Sequence, residues 1–283
     1  MGKLNLKPEI DPNAGFCFGV VEAINKAENA ISSGKELYCL GEIVHNDEEV
    51  KRLSKKGMQT IYHDDLKKLK GKTILFRAHG EHPESYKAAI ENENKIIDAS
   101  CPIIMKLQKR IKESYQNNEN IIIFGKKDHP EVIALMGQIN DSATIIENID
   151  DIDIEQIPGS VTIYSQTTRS VEKYNEIVDL LKKSGKNVSV KKTICRSVSK
   201  RHPQLTSFCS NFNKILFVGG KKSSNAKVLY NICKNANCNA YFISKTDEID
   251  ATWFEEGDTV GISGATSTPQ WLMEEVKKHI ENL

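Results

Sequence analysis

The sequence predicts an α/β protein of three similar units, each with a parallel sheet, set around a pseudo-threefold axis with the functional groups at the centre. Three observations carry that prediction. Cys17, Cys101 and Cys195 serve as origins of an internal repeat. Twenty-four residues beyond each stands a glycine that closes an apolar run: LYCLGE at Gly41, IIIFGK at Gly125 and ILFVGG at Gly219. Twenty-eight residues beyond each stands a polar residue that opens the next helical stretch: His45, His129 and Ser223. The spacing needs no gap, so repetition explains it better than coincidence. Strands alternating with helices imply βαβ units and parallel pairing. In such sheets functional groups collect beyond the carboxyl ends of the strands.

The elements follow in order. Ahead of each origin a short strand is expected, in LNLK, KIIDA and VSVKKTI. After Cys17, VVEAINKAENAI places Val20, Ile24, Ala27 and Ile31 on one helical face. The thiol therefore sits at a helix start, where backbone N–H groups and the macrodipole favour a thiolate. Each unit then passes through its apolar strand and polar turn to a helix. A second apolar strand follows, in TILFRAHGEHPESY, VTIYSQTTRSVEKY and TVGISGATSTPQWL, running into turns that carry His79, Thr167 and Ser267. The expected units are 1–97 with Cys17, 98–190 with Cys101 and 191–283 with Cys195.

The bulk composition narrows the class. The chain has 283 residues, 39% hydrophobic and 27% charged, which is ordinary globular usage. A formal net charge of +1 argues against a sequence-independent nucleic-acid binder. No apolar run approaches the roughly 20 residues of a membrane span. The N-terminus MGKLNLKPEIDP lacks a signal-peptide core, and Gly2 is not followed by the Ser or Thr that myristoylation favours at position six. The expectation is a soluble cytoplasmic protein with no nucleic-acid or membrane partner. Seven cysteines, an odd number at wide spacing, do not read as a disulfide framework. Cys233 and Cys238 are too far apart for a zinc knuckle. Cys39, Cys209, Cys233 and Cys238 have no repeat equivalents and read as structural or surface residues, as do His63, His82, His202 and His279.

Three converging thiolates have few uses. A zinc site made by three cysteines keeps a position open for water, and an iron–sulfur cluster with three cysteines keeps one iron without a protein ligand. Either leaves room for a substrate. His45, His79, His129, Thr167, Ser223, Ser224, Asn225 and Ser267 would face the same centre, several at helix N-termini, where N–H groups and hydroxyls suit phosphate oxygens. An anionic, phosphorylated small substrate fits. Singly, Asn46, Pro130 after His129, and the SSN and QTT strings are also good helix-start residues, so the shared register is what separates site from cap. Lys126-Lys127 and Lys221-Lys222 read as solvated faces, with steering of an anion or acidic partner as the alternative. A zinc-dependent hydrolase and a cluster-based redox or iron sensor remain alternatives at this point.

Taken in order, GFCFGV, GEIVHN, RAHGEHPE, DASCP, GKKDHPEV, SQTT, TIC, GGKKSSN and STP resemble the 4-hydroxy-3-methylbut-2-enyl diphosphate reductases over essentially the whole chain. The resemblance implies an iron–sulfur reductase of the non-mevalonate isoprenoid pathway. Such an enzyme removes the allylic hydroxyl to give isopentenyl and dimethylallyl diphosphates. It implies one 4Fe–4S cluster on Cys17, Cys101 and Cys195, with one iron not held by protein. It implies that His45, His79, His129, Ser223, Ser224, Asn225 and Ser267 hold the diphosphate, that Glu131 is the proton source, and that Thr167 lies beside the leaving hydroxyl. It further implies a ferredoxin or flavodoxin as electron donor. Two stretches depart from the family pattern. RSVSKRHPQL has Ser197-Val198 and His202 where Ala-Thr and Gln are common, while keeping Arg201. ISGATSTP places Ser267 by its neighbours Thr268-Pro269, with Thr266 as the rival. Phe16 and Phe18 are expected to shield the cluster, and Gly15 and Gly19 to let backbone approach it.

Overall fold

A computed structural model describes residues 4–283; Gly2 lies outside them. The strands are β1 (Lys7–Ile10), β2 (Leu37–Leu40), β3 (Met58–Ile61), β4 (Thr73–Phe76), β5 (Lys95–Asp98), β6 (Ile121–Phe124), β7 (Thr144–Ile146), β8 (Ser160–Ser165), β9 (Asn187–Val190), β10 (Lys214–Val218), β11 (Ala240–Ile243) and β12 (Thr259–Gly264). They form three four-stranded sheets, β3-β2-β4-β5, β7-β6-β8-β9 and β11-β10-β12-β1. All pairs are parallel. The order is the same three times, so the repeat extends to topology.

The inner strands β2 and β6 are buried along their whole length, and LYCL and IIIF read as the continuous apolar runs that a sheet covered on both faces requires. The helices supply that cover. They are α1 (Phe18–Ser32), α2 (Asp47–Lys55), α3 (His63–Leu66), α4 (Pro83–Glu91), α5 (Pro102–Gln116), α6 (Pro130–Gly137), α7 (Val171–Lys183), α8 (Arg196–Ser199), α9 (Arg201–Cys209), α10 (Ser224–Ala236) and α11 (Gln270–Glu281). On one face of the second sheet Ile122, Phe124 and Ile163 pack with Tyr174, Ile177 and Leu181 of α7. On the other, Ile121, Ile123 and Tyr164 meet Leu107 and Ile111 of α5 and Val132 and Leu135 of α6. The third sheet has the same two cores, with α11 on one side and α9 and α10 on the other. No described helix is long and apolar enough to cross a membrane.

The chain divides into two compact units. One holds residues up to Val21, Val44–Lys56 and Arg196–Leu283; the other holds Glu22–Ile43 and Gly57–Cys195. Helix α2 follows β2 in sequence yet belongs with the third sheet's unit.

Two expectations about element order are corrected. Each sheet has a fourth strand, β3, β7 or β11, between the two polar turns, where the sequence predicts none. These strands lie at sheet edges and span three or four residues, too short for alternation to register. The strand ahead of each cysteine, moreover, closes the preceding sheet: β5 pairs with β4, β9 with β8, and β1 with β12. The first strand is KPEI, later than the expected LNLK. Pro8 is tolerated there because β1 is an edge strand.

Candidate active site

The three repeat cysteines occupy one backbone position. Beside β4 and β5, Ala99 N–H donates to Phe76 O, and the ladder ends with Cys101 N–H on Ala78 O at 3.0 Å. Beside β8 and β9, Lys191 N–H donates to Ile163 O, and Cys195 N–H closes on Thr167 O at 2.9 Å. Beside β12 and β1, Asp11 N–H donates to Ile262 O, and Cys17 N–H closes on Thr266 O at 3.1 Å. A helix begins at the next residue each time, at Pro102, Arg196 and Phe18. Each thiol is therefore fixed between the carboxyl end of a strand pair and a helix start, tied by its own amide to a polar turn. The Cys17 stretch holds two more residues than the Cys195 stretch between the equivalent bonds. Gly15, at φ +112°, makes that detour possible.

The strand exits are pinned by residues that the sequence reading gave no role. Asp98 accepts from Tyr86 Oη and from Ser100 N–H, both at 2.8 Å. Thr193 Oγ1 accepts from Ser165 N–H at 2.7 Å and donates to Ser165 O at 2.8 Å. Asp11 accepts from Arg201 Nη2 and Ser263 Oγ, each at 2.8 Å, and all three residues are buried. This gives Arg201, in the stretch that departs from the family pattern, a structural role on the loop leading to Cys17.

In the unit that holds Cys101 and Cys195, His129 is the N-cap of α6 with Pro130 behind it, and its Nδ1 accepts from Glu131 N–H at 3.2 Å. The His79 ring meets the His129 ring edge-on at 5.4 Å between centroids. His79 is held in a short arch whose feet, Arg77 and Glu81, form a buried ion pair at 2.8 Å. Gly41 lies under the Arg77 guanidinium, and a Cβ there would stand 2.3 Å from Nη1. Glu131 is 1% exposed. Its Oε1 accepts from Thr167 N–H at 2.7 Å and its Oε2 from Thr167 Oγ1 at 2.8 Å. Burial pushes its carboxyl up to about 7, against the two hydrogen bonds from Thr167, which lower it. The neighbouring Gln166 ties two turns together: its Oε1 accepts from Lys126 N–H at 3.0 Å and its Nε2 donates to Thr168 Oγ1 at 2.8 Å.

In the other unit Ser223 is the N-cap of α10, accepting from Ala226 N–H at 3.2 Å, and Ser224 is the first helical residue. Ser223 Oγ stands 3.4 Å from Ser267 Oγ. Asn225 Nδ2 donates to Thr266 Oγ1 at 2.8 Å, while its buried Oδ1 has no hydrogen bond. Thr266 is thus engaged through both its hydroxyl and its carbonyl, whereas Ser267 faces the other cap hydroxyl. Thr268 anchors this turn, accepting from Ala265 N–H at 3.0 Å and donating to Val218 O at 2.7 Å. His45 directly precedes Asn46, the N-cap of α2, and its carbonyl lies over Gly220, where a Cβ would stand 1.9 Å away.

Cys39, Cys209 and Cys233 are buried and Cys238 is exposed, as expected of residues outside the repeat. Burial pushes the Cys39 thiol up to about 12. Phe18, the first residue of α1, is 66% exposed. Polar residues beside the ends of apolar strands were the available signal for Gln166, Thr193 and Asp11. None falls on a shared repeat position.

Comparison with known proteins gives one consistent answer. The model of the LytB protein family matches residues 10–281. The 4-hydroxy-3-methylbut-2-enyl diphosphate reductase of Bacteroides fragilis is 46% identical over 98% of both chains. That of Porphyromonas gingivalis is 43% identical over 97% of this chain and 98% of its own. A solved reductase of this name, described as the terminal enzyme of the non-mevalonate pathway, superposes with a TM-score of 0.73 at 33% identity, over 98% and 99% of the two chains. The Plasmodium falciparum reductase superposes with a TM-score of 0.84 at 26% identity, over 98% and 88%. With the match running nearly end to end and the three sheets in common, this chain belongs to the LytB family of 4-hydroxy-3-methylbut-2-enyl diphosphate reductases.

Proposed function

We infer that the protein is a 4-hydroxy-3-methylbut-2-enyl diphosphate reductase, acting in the terminal step of the non-mevalonate pathway. The reaction breaks the allylic C–O bond. Two electrons and two protons enter, one molecule of water leaves, and isopentenyl or dimethylallyl diphosphate results. The observation that carries the residue assignment is the buried Glu131–Thr167 pair on the same turn whose carbonyl fixes Cys195.

Cys17, Cys101 and Cys195 fit a shared iron–sulfur group. They are partly open thiols in one backbone setting, whereas the cysteines outside the repeat include three that are buried. A 4Fe–4S cluster bound there by three cysteines supplies a Lewis-acidic iron with an open position and a store for electrons. The chain's own residues do the rest. Ser223, Ser224, Asn225 and Ser267 present hydroxyls, an amide and the N–H groups of the α10 start to a diphosphate, with His45, His79 and His129 as further donors. Hydroxide is a poor leaving group, so the departing oxygen needs a proton. Glu131, with its carboxyl raised by burial to about 7, keeps a proton in a large share of molecules at neutral pH, where an ordinary carboxyl has lost it. Thr167 Oγ1, whose 2.8 Å hydrogen bond to Glu131 Oε2 supports the reading, passes that proton to the leaving hydroxyl. Electrons arrive from an acidic one-electron carrier of the ferredoxin or flavodoxin class.

The test is anaerobic turnover of the allylic diphosphate with a chemical reductant. A visible absorption band and formation of the two isoprenoid diphosphates are expected. A colourless protein that instead hydrolyses phosphate esters would establish the zinc hydrolase alternative.

A further inference from the structure

Helix α5 has an outer face that its fold does not use. Cys101 is its N-cap and Pro102 its first residue, and it buries Ile104, Leu107, Ile111 and Ser114 on one side. At 100° per residue the opposite side carries Met105, Lys106, Lys109 and Lys112, all exposed, with Glu113 as its one acid. Met105 is 53% exposed. Lys109 reaches Glu113 only at 4.0 Å with both side chains open to water, a pair worth little. Neither Lys106 nor Lys112 has an ion pair among the described residues. An exposed methionine bordered by three lysines thus lies on the helix that starts at a cysteine assigned to the cluster. Four residues at 1.5 Å rise place Met105 only about 6 Å along the axis from Cys101.

We propose that this face of α5 is the docking surface for the acidic electron-carrier protein, a proposal that rests on the reductase reading above. Charge complementarity selects the occupant. A cationic face on a chain of net charge +1 attracts an acidic partner, steers its encounter and orients it. The exposed Met105 gives an adaptable apolar contact of the kind suited to a short-lived complex. Each docked carrier is oxidised by one electron, so two encounters supply the two electrons that, with two protons, convert the allylic alcohol to the deoxygenated product and water.

The test uses the loaded enzyme under anaerobic conditions with two reductants, a reduced ferredoxin and reduced methyl viologen. Lys106→Glu/Lys109→Glu/Lys112→Glu is expected to raise the KM for ferredoxin at least tenfold and to leave viologen-driven turnover within twofold of wild type. The same three positions changed to Gln are expected to move the ferredoxin KM in the same direction by less. Added salt should raise the wild-type ferredoxin KM, hardly affect that of the Gln variant and lower that of the Glu variant. An unchanged ferredoxin KM in both variants overturns the docking surface while leaving the reductase intact. Absence of viologen-driven turnover in the wild type overturns the reductase reading, and the docking surface with it.

Discussion

Glu131 is the residue whose environment most directly sets a function. A carboxyl at 1% exposure with two donors from a single threonine is held near neutrality by the balance of desolvation against those hydrogen bonds. Glu131→Gln keeps the shape and removes the proton, so turnover is expected to fall by about 10²–10⁴-fold while the absorption of the cluster persists; steady-state rates and a spectrum of the same sample check this. The acid form is the active one, so kcat/KM should fall as pH rises through about 7. Stability follows the same sign. The folded value lies above the ordinary value of 4.5, so the contribution of Glu131 is present below 4.5 and is lost as pH rises toward about 7. The Tm of the Gln variant relative to wild type should therefore climb over that interval and level off above it. No single-residue feature of GKKDHPEV announces this burial; the repeat register draws attention to His129, and Glu131 follows from the family resemblance.

At the scale of elements, the polar turns matter more than the helices they open. Two of them are fixed by a buried side chain to a neighbouring strand end, through Thr268 to Val218 and through Gln166 to the backbone after Gly125. Gly220 shows how little tolerance there is. Its α-carbon lies against the His45 carbonyl, so Gly220→Ala forces the two turns apart. The expected result is a several-fold rise in KM for the diphosphate substrate with a smaller change in kcat, read from steady-state kinetics. Much of this level was legible in advance. The strand–turn–helix joints stand out because a fully apolar strand meets a polar helix start within a few residues, as in IIIFGKKDHPEV. The edge strands MQTI, TII and AYFI did not stand out, since pairing with one neighbour makes them strands and their own composition does not.

Across the whole molecule the same strand order occurs three times, but the third sheet takes its last strand from the other end of the chain. Sequence could show the period of the repeat. It could not show where each sheet closes, because pairing partners far apart leave no local trace. The join is reinforced by Asp11, buried with Arg201 and Ser263. Asp11→Ala strands the Arg201 charge and is expected to cost about 3–5 kcal/mol, measured by chemical denaturation. Cys101→Ser should leave the fold in place and abolish the visible absorption; an intact cluster in that variant would remove Cys101 from the ligand set.

That join also has an order in time. On the ribosome the strands of the first two sheets emerge together, whereas Asp11 must wait for Ser263, 252 residues later. At roughly 5–20 residues per second that delay is on the order of tens of seconds. Cys17, whose amide docks on Thr266, is therefore the first of the three thiols to be made and the last to be set in place. A nascent chain therefore carries Cys17 as a loose, oxidisable thiol until the turn that holds Thr266 has been made.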